Sequence, residues 1–103
     1  MQESGINVAR NLRILETMKC SLLSDIAGLY EDMMQNGSEE KNEISERLSD
    51  IILTSYLLAK QLGIGYNVLE KKLEKKIRMY LLEEKADSLF RVELSELIQH
   101  LKS

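Results

Sequence analysis

An all-α fold, an antiparallel helical bundle of four to five helices, is what this chain predicts, on three observations. It has no proline and only five glycines, which leaves long stretches without a helix breaker. Its apolar residues recur at spacings of three and four, the period of one helix face. Its connections, near 36–38 and 63–66, are short, as antiparallel neighbours require. With 103 residues the length suits one domain, 1–103.

The first element runs from Ile6 to Gln35, with residues 1–5 expected to fray. Val8, Leu12, Leu15, Leu22, Ile26, Leu29 and Met33 form one stripe, interrupted at Lys19. The pattern fits one long helix, or two nearly collinear ones joined near Lys19–Ser21, where Cys20 and Ser21 are weak helix formers. Gly28 lies mid-helix, a place where a neighbour can approach closely. Asn36-Gly37 predicts a C-terminal cap. Ser38 predicts the next N-cap, with Glu39 and Glu40 facing the positive end of the helix dipole.

The second element extends to Gly63. Its latter half, Ile51 to Ala59, is apolar nearly all round, which predicts burial by other helices. Glu43, Arg47, Asp50 and Thr54 form its polar edge. After Gly63-Ile64-Gly65, Asn67 predicts a cap. A third helix then places Leu69, Leu73, Ile77 and Tyr80 on one face and Lys71, Lys72, Lys75, Lys76 and Arg78 on others. Asp87 or Ser88 caps a C-terminal helical extension, 88–103, holding Phe90, Leu94, Leu97, Ile98 and Leu101.

Composition excludes several classes. Acidic and basic residues are interspersed, with a net charge of −3, so nucleic-acid binding by charge alone is not expected. No apolar run approaches the roughly 20 residues that span a bilayer, and residues 1–10 lack a signal-peptide core. The single cysteine, Cys20, rules out an internal disulfide and a multi-cysteine metal site. It is read as a small buried residue, in a cytoplasmic protein. His100, the one histidine, suits a helix C-terminus. The methionines read as packing or subunit contacts.

The order is acidic helix, short loop, acidic helix, then LGIG and a lysine-rich helix ending in Tyr80. It resembles the MazG-like, all-α nucleoside triphosphate pyrophosphohydrolases. The resemblance spans roughly residues 20–80 and is strongest in LSDIILTSYLLAKQLGI. It implies two antiparallel helices, each giving two carboxylates three residues apart, that hold Mg²⁺ with hard oxygen ligands. The metal would help activate water for attack at the α–β phosphate linkage.

Transferred residue by residue, the first acidic pair of the resembled motif falls on Asp25 and Gly28, and the second on Arg47 and Asp50. Two of four ligand positions are lost. Arg47 cannot lose its charge and is expected to pair along its own helix with Asp50 or Glu43. The resemblance further implies phosphate and base contacts from the third helix, where Lys72, Lys76 and Tyr80 are the candidates.

The reading that follows is a MazG-like fold with catalysis weakened or lost, acting as an oligomeric helical binding or regulatory protein. The alternative is an active Mg-dependent NTP or dNTP pyrophosphohydrolase with metal ligands rearranged to Asp25, Glu46 and Asp50. A third is a helical interaction module unrelated to that family. The abundance of apolar surface predicts a homo-oligomer, dimer or tetramer, with a nucleotide or another protein as further partner.

Overall fold

The computed structural model describes residues 2–34, 40–83 and 88–103, with side chains from 8–34, 41–83 and 90–103. The described residues form four α-helices: α1 (Gln2–Met34), α2 (Glu40–Gln61), α3 (Tyr66–Leu82) and α4 (Ser88–Lys102). The caps expected at Asn36-Gly37, Ser38 and Asp87 lie outside the described residues. The chain divides into two compact units, 1–64 and 65–103.

In the first unit α1 is a single helix of 33 residues, so no joint falls at Lys19–Ser21. It begins at Gln2, ahead of the Ile6 start that the apolar spacing predicts. Thr17, a weak helix former, turns its hydroxyl back to the Arg13 carbonyl, and Ser55 of α2 does the same with Ile51. Such back-bonding satisfies the hydroxyls without ending the helix. A connection of five residues leaves α2 only the antiparallel course along α1.

α2 is 22 residues, about 16 Å shorter than α1 at 1.5 Å per residue. The first turns of α1 therefore project past the end of α2. The half-buried Leu15, Met18, Leu22 and Leu29 of α1 sit on the helix face toward α2. Among the described residues of this unit, Ala59 is the one that is buried. The burial expected for Ile51–Ala59 is only half realised: Ile51 and Leu58 are half-buried, whereas Ile52, Leu53 and Leu57 are exposed. Within this unit, one partner helix covers one face of α2 and not the other.

α2 ends in a tight turn in which the Ile64 amide donates to the Ala59 carbonyl at 2.8 Å. Gly63 sits at φ 80°, the left-handed conformation that glycine adopts at a helix C-terminus. In the second unit α3 is capped by the extended backbone of Gly65, not by Asn67, and no side chain bonds there. Its core is Ile77 with Leu94 and Ile98 of α4, flanked by Leu81 and Leu101. Arg91 of α4 donates to the Leu81 carbonyl at 2.6 Å and to the Glu83 carbonyl, satisfying carbonyls that a helix end leaves open. His100 lies in the last turn of α4, where a cation suits the dipole.

Candidate functional site

The acids meet the cation between α1 and α2. Asp25 and Asp32 are seven residues apart on α1, two turns along one face. Arg47 reaches across from α2 and spans them. Its Nη1 donates to Asp25 Oδ1 at 3.5 Å and its Nε to Asp32 Oδ2 at 3.3 Å. The side chains are 18%, 15% and 34% exposed for Asp25, Asp32 and Arg47, so the cluster is partly shielded from water. Burial works against the guanidinium charge, but hydrogen bonds and the field of Asp32 and Asp25 outweigh it and hold Arg47 above its ordinary range.

Gly28 lies on α1 between those two acids and makes this possible. A Cβ placed there would come within 2.6 and 2.7 Å of Arg47 Nη2 and Nε, inside van der Waals contact. The absent side chain at 28 and the arginine at 47 are thus two parts of one arrangement: the glycine opens the space that the guanidinium fills. Arg47 pairs across the helices, not along α2 with Asp50 or Glu43 as its local spacing suggests.

This coupling has a measurable sign. Ala for Gly in a helix interior gains about 1 kcal/mol from propensity. Gly28→Ala should deliver that gain in an Arg47→Ala background and less, or a loss, beside the native arginine. A double-mutant cycle by chemical denaturation reads the difference; additive effects would mean that Arg47 does not occupy the space above Gly28.

A shallow cleft of about 270 Å³ opens beside the pair, lined by Asp32, Glu43, Glu46, Arg47 and Asp50. It brings Glu46 and Asp50 together with Arg47, while Asp25 meets Arg47 from the α1 side. Asp32 escapes the sequence reading because a search for carboxylates three apart passes over a pair seven apart. Among the described residues no group of three or more His, Cys, Asp or Glu side chains is disposed to hold a metal ion.

The donor set does not fit Mg²⁺. Two of the shielded carboxylates already face a permanent cation, and Gly28 offers no oxygen where the resembled motif has one. A divalent ion here would meet positive charge in place of a ligand.

On α3, Lys76 and Tyr80 line a cavity of about 170 Å³ with Met79 and Glu83; Lys72 is not part of it. A larger concavity of about 490 Å³ lies against Arg10, Arg13, Ile14, Thr17 and Met18 of α1, away from the acids. Cys20 is an exposed free thiol and not a core residue. Its position on the helix points away from the apolar stripe.

The described residues thus form an all-α fold in which α1 and α2 carry acids at their seam. The MazG-like family model matches residues 8–89, so the chain belongs to the MazG-like family. No curated protein and no solved structure matches it. Among the described residues no helix is long and apolar enough to cross a membrane.

Proposed function

We propose that this MazG-like protein does not depend on a divalent metal and acts as an oligomeric helical binding or regulatory protein in the cytoplasm, its pyrophosphohydrolase chemistry silenced. The observation behind this reading is Arg47, lodged over Gly28 between Asp25 and Asp32. Hydrolysis of a nucleoside triphosphate by the family's route needs a metal to neutralise the phosphates and activate water. A guanidinium offers charge, but it has no open coordination position and cannot lower the pKa of a bound water as a metal does.

A panel of NTPs and dNTPs with Mg²⁺ or Mn²⁺ should release no pyrophosphate above the protein-free rate. Turnover that Asp50→Ala abolishes would overturn the proposal. It would establish the second reading, a hydrolase using the acids of the cleft beside Arg47. That reading draws on Glu46 and Asp50 lining one cleft, with Asp25 completing the set.

A nucleotide remains a ligand to test without turnover. Lys76 offers a phosphate partner and Tyr80 a stacking surface in the same small cavity, with Lys72 further along the helix. Calorimetric titration of nucleotides should show heat that Tyr80→Ala and Lys76→Ala each reduce. No heat with any nucleotide leaves a protein partner as the ligand.

A further inference from the structure

Two arginines share a concavity on α1. Arg10 and Arg13, one turn apart and both exposed, line about 490 Å³ together with Thr17 and the half-buried Ile14 and Met18. We infer that this concavity binds a small phosphomonoester. The two guanidiniums hold the phosphate, and an apolar body lies on Ile14 and Met18. The site is separate from Arg47 and from the cavity at Lys76 and Tyr80, and it depends on neither of them binding a ligand.

The charges select an anion. Residues at i and i+3 share a helix face, with Cβ atoms about 5–6 Å apart, so both guanidiniums reach a common point. Among the described residues no acid lines the concavity. The nearest acid along the helix from Arg13 is Glu16, one turn on, and Lys19 holds it at 2.9 Å. Arg47 has Asp25 and Asp32. Among the described residues Arg10 and Arg13 make no ion pair, although acids outnumber bases in the chain. Like charges at this spacing repel each other, and an anion between them removes the repulsion.

Charge and volume narrow the anion to a phosphomonoester. Such a group is close to a dianion at neutral pH, which matches two guanidiniums, and arginine forks grip its oxygens in pairs. A carboxylate brings one charge. The Thr17 hydroxyl donates to the Arg13 carbonyl, so its proton is committed and the arginines alone serve the phosphate. The volume falls within the range of roughly 300–1,000 Å³ typical of small-molecule sites, more than a phosphate alone fills. Ile14 and Met18 offer the rest of the ligand an apolar surface.

Phenyl phosphate is the probe, titrated into the full chain by calorimetry and followed through the amide resonances of α1. It should bind with shifts concentrated at residues 10–18. It should bind about tenfold more tightly than inorganic phosphate, which lacks the ring, and than benzoate, which lacks the second charge. Its affinity should fall below about pH 6, where the phosphate takes up a proton.

Arg10→Gln and Arg13→Gln should each weaken binding about tenfold, and both positions are exposed, so the fold tolerates the change. Lys41→Gln with Lys102→Gln removes two charges elsewhere and should leave the affinity unchanged. Equal weakening by that control pair would mean diffuse attraction and overturn the site. Binding that survives Arg10→Gln with Arg13→Gln would overturn it too, as would no binding at millimolar phenyl phosphate.

Discussion

Arg47→Glu is expected to convert a chain indifferent to divalent cations into one that they stabilise. The substitution removes the guanidinium from Asp25 and Asp32 and puts a third carboxylate in its place. Without metal, three acids then crowd one shielded spot, and the variant should melt below the native protein. With Mg²⁺ or Mn²⁺ at a hundred times the dissociation constant, binding returns about 2.7 kcal/mol. In a chain of this size that is a rise on the order of 10 °C. The native protein should show no such rise in the same titration. Adding Gly28→Glu, with the arginine gone, supplies a fourth oxygen donor and should tighten binding further. If that double variant folds yet takes up no metal, the positions assigned to the family's acidic motif are wrong. An equal thermal response in the native chain would show that Arg47 does not stand in for the ion.

The second large effect falls in the other unit. Ile77 is 2% exposed and meets Leu94 and Ile98 at the centre of a core with few members. Ile77→Ala removes three carbons where little can collapse to refill the space. It should cost about 2–5 kcal/mol, against about 0.5–1.5 for Ile77→Val. Leu82→Ala, at a residue 82% exposed, should stay within about 0.5 kcal/mol. Denaturant titration followed by circular dichroism separates the three. Equal losses at 77 and 82 would mean that α3 and α4 are not held by this core.

Much of the fold was legible because it follows from local rules. The absence of proline and the three-and-four spacing of Val8 through Met33 predict α1, and the flanking glycines predict the turn at 63–65. Membership in the MazG-like family was legible in the stretch Leu48 to Ile64 and its neighbours. What escaped depends on geometry between helices. Arg47 has acids on its own helix at good spacing, and nothing in the linear pattern says that it turns to α1 instead. The deciding feature is Gly28, whose role as an opening is visible only once α2 lies over it. Asp32 was missed for the related reason that two turns of helix separate it from Asp25. Cys20 looked like a core residue by type, but its position on α1 faces neither α2 nor the apolar stripe. The cap at Gly65 displaced Asn67 because extended backbone alone starts α3.

The fit of Arg47 over Gly28 also ties together the ways in which such a site can change. A side chain arriving at 28 while the arginine is present collides with it. The arginine's departure strands two acids with no counter-charge, and nothing at 28 yet helps a metal to replace it. Either first step lands on a less stable chain, and only the second step recovers the loss. Two changes that are each harmful alone and compatible together form a latch: once closed, drift by single substitutions does not readily reopen it.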